Sequence, residues 1–306
     1  MTWSPTFIGI GAEKSATTWA WTMLNEHPSV CMSQPKELNY FNIDENFQRG
    51  ASWYRKHFAI ESARAGEISP LYMDDERVAG RIRDTYPDAR ILVMLRNPFG
   101  RAMSHLFHDA SVLYGKVAEL TKSDLQALAS KDQKYVRRSC YAAALAPFLE
   151  AFPRDQIGIF LFEDVATDGL ELAQNLYDFV GVDAAFVPEQ YDQKVNESQD
   201  LRSVGLAKVM MSASRLARSF PPTRQAMNWV YRRTQLRETV IRWLLVDKGR
   251  PQIDFSEVFS PEATSLLDSD LQLLKELLPE VVPTSWLEGS PAERLPFGAT
   301  PQPAAA

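Results

Sequence analysis

Three short stretches of this chain place side chains where an anionic group can be held and attacked. In the first, Gly9-Ile10-Gly11-Ala12-Glu13-Lys14-Ser15-Ala16-Thr17-Thr18-Trp19, a turn delivers a lysine and several hydroxyls to the start of a helix. Open backbone N–H groups and the helix dipole favour negative charge at such a start, and Lys14 adds a full cation. In the second, Glu67-Ile68-Ser69-Pro70-Leu71-Tyr72, a carboxylate closes a short apolar stretch. In the third, Leu95-Arg96-Asn97-Pro98-Phe99-Gly100-Arg101-Ala102-Met103-Ser104-His105, a strongly apolar run delivers a guanidinium, and a serine follows in the second turn of a helix. A guanidinium beside a hydroxyl suits a phosphate monoester, because the planar fork matches the phosphate oxygens. Two anion sites at neighbouring strand ends point to one ligand with two phosphate groups.

The elements that must position these groups are legible in the hydrophobic pattern. Phe7 to Gly11 reads as a buried strand entering a turn, and Thr17 to Asn25 as a helix stopped by His27-Pro28. Ala65 to Ile68, Arg90 to Leu95 and Ile157 to Phe162 read as further strands. Asp74 to Thr85, Pro98 to about Ala110, Ser139 to Phe152 and Asp164 to Val180 have helical spacing. This alternation predicts an α/β chain, with a P-loop-like three-layer fold and a central, mainly parallel sheet flanked by helices. The carboxyl ends of such strands form the rim where ligands bind, and all three stretches leave their strands there. The nucleotide-triphosphatase loop, GxxxxGK[ST], requires glycine before its lysine; Glu13 stands at that position, so this loop is of another kind.

Composition bounds the rest. The 306 residues are expected to form one domain over 1–299 and a Pro/Ala-rich, disordered tail over 300–306. With 45% hydrophobic and 24% charged residues, disorder, collagen and coiled coil are excluded as the main architecture. A net charge of −6 and a pI near 5.4 argue against nucleic acid as a partner. Two cysteines, Cys31 and Cys140, cannot build a disulfide scaffold and suggest a reducing compartment. No basic segment followed by an apolar one opens the chain, and no apolar run reaches the ~18 residues of a membrane span. The expectation is a cytoplasmic protein without a transmembrane segment. Residues 201–250 differ in charge: eleven Lys/Arg face Glu238 and Asp247, a net of +9 against −15 for the rest. They read as two helices split at Pro221-Pro222, presenting either a solvated basic face or a surface for an anionic acceptor or carrier.

The three chemical stretches, in this order, resemble the PAPS-dependent sulfotransferases (PAPS is 3′-phosphoadenylyl sulfate). KSATTW is similar to that family's KSGTTW loop, which holds the 5′-phosphosulfate, and LRNPFGRAMSH to its 3′-phosphate motif. The heparan-sulfate branch is the closer likeness, on Lys36-Glu37-Leu38-Asn39-Tyr40-Phe41 and on GEISPLY, similar to GEKSPxY. The resemblance extends through Arg138-Ser139-Cys140-Tyr141, Glu163-Asp164-Val165, Lys248-Gly249-Arg250 and Asp270 to Trp286, covering about residues 6–290. One departure is Ala16, where the family usually has glycine; alanine restricts positive φ and adds a methyl group near the phosphates. The membrane anchors and disulfides of the branch's Golgi members do not transfer.

The resemblance implies roles. Glu67 is expected to be the general base, with Lys14 neutralising the leaving phosphate. Ser15, Ala16, Thr17, Thr18 and Trp19 hold the 5′-phosphosulfate, Arg96 and Ser104 the 3′-phosphate, and Lys248, Gly249 and Arg250 close on the cofactor. Lys36, Tyr40 and His57 are expected on the acceptor side. PAPS is the co-substrate, PAP the product, and no metal is required. His105 and His108 lie three apart on a helix without a second pair of ligands. The acceptor, a hydroxyl or amine of a small molecule, lipid or saccharide, is not legible. A P-loop nucleotide kinase and a catalytically inactive nucleotide-binding relative are the alternatives; Glu13 argues against the first, and the presence of Lys14, Glu67, Arg96 and Ser104 against the second.

Overall fold

Phe7–Gly11 (β1) is buried along its whole length, as a strand covered on both faces must be. It is the centre of a five-stranded sheet ordered β2-β3-β1-β4-β5. The other strands are Val30–Met32 (β2), Arg64–Ile68 (β3), Arg90–Leu95 (β4) and Ile157–Leu161 (β5). All four pairings are parallel; Ile8 lies opposite Glu67 on one side and Ile91 on the other. This computed structural model describes residues 3–59, 64–114, 119–192, 200–201, 245–246 and 253–288. Asp200–Leu201 and Leu245–Val246 form a separate antiparallel pair.

The two-residue period of the strands sorts their side chains to two faces. Phe7, Leu92 and Met94 pack with Trp19, Met23 and Leu24 of Thr17–Glu26 (α1) and with Leu172, Leu176 and Tyr177 of the helix over Gly169–Val180. Ile8, Ile10, Ile91 and Val93 pack against the opposite layer, which includes Leu145 and Phe148. Between α1 and β4 the chain forms Asp44–Phe47 (α2), Ala51–Arg55 (α3) and Arg77–Thr85 (α4). Pro98–Tyr114 (α5), Lys122–Ala129 (α6), Lys134–Arg137 (α7) and Tyr141–Ala151 (α8) follow β4. After β5 come Asp164–Thr167 (α9), Gly169–Val180 (α10), Phe255–Val258 (α11), Pro261–Leu277 (α12) and Thr284–Leu287 (α13). The three layers are those expected from the sequence.

Two expected helices are broken. The stretch from Asp74 begins its α-helix only at Arg77, because Pro70–Asp74 is a 3₁₀ turn. That from Asp164 divides at Asp168, whose carboxylate accepts from Glu171 N at 3.0 Å and so caps a new helix.

Candidate active site

Backbone geometry sets the loop between β1 and α1 apart. Lys14 and Ala16 both have left-handed φ, 70° and 61°, a region that costs an L-residue roughly 1–2 kcal/mol. Gly11, at φ 149°, packs so closely on the 3₁₀ turn that a Cβ would stand 2.7 Å from the Pro70 carbonyl. The loop after β1 therefore rests directly on the segment after β3. Helix α1 starts with no side-chain cap and no acidic residue in its first turn. Its first N–H groups thus remain open to a ligand. Ser15 Oγ is fully buried and has no hydrogen-bond partner within bonding distance among the described residues. An uncapped helix start, a lysine and an orphaned hydroxyl fit the phosphosulfate end of PAPS. Trp19 contributes only its amide to that rim, since its indole is buried in the core and donates to Tyr191 O at 3.3 Å.

Arg96 leaves β4 beside this loop. Its Nη1 points to Lys14 O at 3.5 Å, its guanidinium stacks on Phe162 at 4.1 Å, and Tyr141 donates to its carbonyl at 2.9 Å. Asn97 shapes the turn: its side-chain oxygen accepts from Phe99 N and Gly100 N, capping α5 at Pro98. Ser104 is 7% exposed and lies two helical turns beyond Asn97, on the same side of α5. Burial holds the Lys14 ammonium below its ordinary pKa, while the carboxylates of Glu13, Asp109 and Glu37 pull the other way.

Glu67 occupies a different position from the one expected of a base. Its carboxylate is fully buried and receives Tyr72 Oη at 2.6 Å, Ser69 Oγ at 2.7 Å and Leu38 N at 3.3 Å. Burial raises its pKa and these donors lower it. The same three residues hold the strap over residues 38–40: Asn39 N donates to Ser69 Oγ at 3.1 Å and Tyr40 N to Tyr72 Oη at 2.8 Å. Glu67 is a bracket for that strap, with no surface left for an acceptor proton. What the strap projects is Glu37, with left-handed φ of 64° and a carboxylate 45% exposed, ion-paired with Lys36. Non-glycine residues in the left-handed region gather where geometry is functionally constrained. Here all of them in the described residues, Lys14, Ala16, Glu37 and Asn39, lie on these two facing segments.

Tyr40 is also relocated. It is 2% exposed and packed among Phe41, Phe47, Trp53 and Tyr54, so its ring belongs to the core. His57 supports the strap from behind, Nδ1 lying 3.1 Å from Gln34 O and the ring edge-on to Trp53. Lys248, Gly249, Arg250 and nearly all of the basic segment lie outside the described residues.

A polar network that the sequence reading missed fixes Glu13. Arg138 donates from Nη1 to Glu13 at 3.0 Å and pairs through Nε with Asp74 at 3.2 Å. His105 Nε2 lies 3.6 Å from the same Glu13 carboxylate, and its Nδ1 faces buried Arg101 at 3.1 Å. Burial and Arg101 press the His105 pKa down to about 3, so the ring is neutral; with Nδ1 accepting from Arg101, Nε2 carries the proton toward Glu13. The residue replacing the triphosphatase glycine is thus a pinned carboxylate. The signal available in the sequence was the pair Glu13 and Arg138, each inside a recognised stretch.

Comparison with known proteins agrees with this geometry. The family model described as sulfotransferase domain matches residues 4–204. Heparan sulfate glucosamine 3-O-sulfotransferase 5 of Mus musculus is 31% identical over 186 residues, 58% of this chain and 54% of the relative. Bifunctional heparan sulfate N-deacetylase/N-sulfotransferase 2 of Homo sapiens is 26% identical over 197 residues, 58% of this chain and 22% of the relative. The chain therefore spans about half, or less, of the curated relatives it matches. The crystal structure of a sulfotransferase from Alicyclobacillus acidocaldarius superposes with a TM-score of 0.53 at 25% identity, covering 72% of this chain and 93% of that one. With two thirds of its length matched by the family model, the chain belongs to the sulfotransferase domain family.

Proposed function

We propose that this protein transfers the sulfuryl group of PAPS to a hydroxyl or amine acceptor. The observation that carries the reading is the pairing of an open helix start at Lys14–Thr18 with Arg96, whose Nη1 reaches the Lys14 carbonyl. One anion site holds the 5′-phosphosulfate through Lys14, Ser15, Thr17 and Thr18. The second, Arg96 with Ser104, holds the 3′-phosphate. The acceptor atom attacks sulfur in line: a bond from acceptor to sulfur forms while the bond from sulfur to the bridging phosphate oxygen breaks. Lys14 meets the charge that develops on that leaving oxygen. The acceptor proton passes to Glu37, the exposed carboxylate that acts electrostatically on Lys14. Lys36, ion-paired to Glu37, is placed to steady the sulfonate. Glu67, with Ser69 and Tyr72, keeps the strap that carries both residues in register with the phosphate loop.

We assign the whole reaction to one domain over 1–299, in a reducing compartment where Cys31 and Cys140 persist as buried free thiols. Among the described residues no helix is long and apolar enough to cross a membrane. Incubation with sulfur-35 PAPS and a panel of hydroxyl and amine acceptors should release PAP and label at least one class. Failure of the wild type to release PAP with any acceptor, while binding PAP, would contradict the assignment of an active transferase.

A further inference from the structure

The peptide that joins Arg96 to Asn97 is held on both sides by side chains from other elements. It stands just past the end of β4, Arg90–Leu95, where the ladder no longer supplies its partners. Its carbonyl accepts from Tyr141 Oη at 2.9 Å, and its N–H donates to Glu163 Oε1 at 2.9 Å. The guanidinium on this peptide is held as well, over the Phe162 ring at 4.1 Å and with Nη1 3.5 Å from Lys14 O. Arg96 is thus oriented before a ligand arrives. A long side chain that is already ordered gives up less rotamer freedom on binding, so its contact with an anion is worth more.

Tyr141 is the holder whose removal can be read most cleanly. It is fully buried, and a hydroxyl in such a place is unfavourable unless it is bonded. Burial pushes the phenol's pKa up to about 12, so it keeps its proton and donates throughout the neutral range; the Ser15 hydroxyl acts on the same phenol in the opposite sense. The phenol therefore lies against one residue of each anion site. Tyr141 is the first residue of α8, and the next two N–H groups of that helix, Ala142 and Ala143, donate to the Asp270 carboxylate at 3.0 and 3.2 Å. Asp270 belongs to α12, so the C-terminal part of the chain fixes the helix start that carries the phenol.

We propose that Tyr141 is a positioning residue for the 3′-phosphate: by holding the Arg96 carbonyl it aims the guanidinium, and so sets the preference for PAP and PAPS over nucleotides without that phosphate. The inference rests on the reading of Arg96 as the 3′-phosphate residue. A phenol that served packing alone would cost stability when its hydroxyl is removed and would leave nucleotide selectivity unchanged.

The test is calorimetric titration of PAP, and of adenosine 5′-phosphosulfate, which lacks the 3′-phosphate, into the full chain as wild type, Tyr141→Phe, Arg96→Ala and the double variant. A neutral hydrogen bond of this kind is worth about three- to tenfold, so Tyr141→Phe should weaken PAP by that factor and leave adenosine 5′-phosphosulfate within about twofold. In the Arg96→Ala background the same change should alter PAP affinity by less than about twofold, because the guanidinium that the phenol aims is gone. Asp270→Asn keeps the phenol and weakens the anchor of α8, so it serves where Tyr141→Phe does not fold; it should also weaken PAP more than adenosine 5′-phosphosulfate. Unchanged PAP affinity in Tyr141→Phe, equal losses for the two ligands, or a loss that persists in full without Arg96 would each overturn the proposal, as would an Asp270→Asn protein that loses both ligands alike or neither. If Arg96→Ala itself weakens both ligands equally, the 3′-phosphate reading of Arg96 falls and this proposal with it. A selective Arg96→Ala beside an unselective Tyr141→Phe overturns the proposal alone.

Discussion

Glu37→Gln tests which carboxylate moves the acceptor proton. Glu37 is 45% exposed and its partner is Lys36, on the same strap. An exposed pair of this kind contributes only about 0–1 kcal/mol, so the variant should unfold within about 1 kcal/mol of wild type. General-base catalysis is typically worth about 10²–10⁴-fold, so kcat for a hydroxyl acceptor should fall by at least about 100-fold while PAP affinity stays near wild type. Glu67→Gln should behave in the opposite way. Three donors converge on that carboxylate in the core, and an amide cannot accept all of them with the same strength. Loss of one charge-assisted bond costs about 1.5–3 kcal/mol, so the main effect should appear in urea denaturation. Steady-state sulfur-35 transfer with denaturation of the same preparations separates the two. A Glu37→Gln enzyme within threefold of wild type, beside a Glu67→Gln enzyme that folds normally but is inactive, would refute the reasoning and return the base to Glu67.

Three further outcomes follow from the same geometry. Ala16→Gly relieves a left-handed alanine, so it should stabilise the fold on the order of 1 kcal/mol in chemical denaturation; a loss of stability would show that the methyl group's packing outweighs the strain. Arg96→Ala should weaken PAP about tenfold or more and leave adenosine 5′-phosphosulfate, which lacks the 3′-phosphate, within twofold by calorimetry; equal losses would remove Arg96 from that phosphate. Burial raises the Asp74 pKa from 3.8 to about 6, so its contribution to stability is full below about pH 4 and lost as pH rises through 6. Asp74→Asn should therefore gain on wild type by up to about 2–3 kcal/mol between pH 4 and 7 in urea titrations, and a pH-independent difference would contradict the shift.

The parts of the fold that were legible in the sequence are those governed by short-range pattern. Ile91–Leu95 is an unbroken apolar run, and the strand Arg90–Leu95 appears with the bounds read from the sequence. Thr17–Glu26 was bounded by His27-Pro28, and Ala16 was flagged for the positive φ that it adopts. Val30–Met32 was missed because three residues carry no period, although they add an edge strand to the sheet. The burial of Glu67 was not legible for a longer-range reason. Its place at a strand end suggested access to ligand, but Leu38 N, Ser69 and Tyr72 close over it, and only the folded strap reveals that. Tyr40 was expected on the acceptor side and is enclosed by rings from α2 and α3, elements too short for periodicity to announce. The Glu13–Arg138–Asp74 chain joins residues up to 125 positions apart, and no local spacing encodes it.

The central claim is that one nucleotide with phosphates at both 5′ and 3′ positions spans Lys14 and Arg96. Its most direct test is calorimetric titration of PAP, and separately of ATP with Mg²⁺, into the wild type and into Lys14→Ala. The account predicts one PAP per chain, affinity reduced about tenfold or more by Lys14→Ala, and ATP with Mg²⁺ bound far more weakly than PAP. ATP with Mg²⁺ binding as tightly as PAP, or PAP binding indifferent to Lys14, would contradict it.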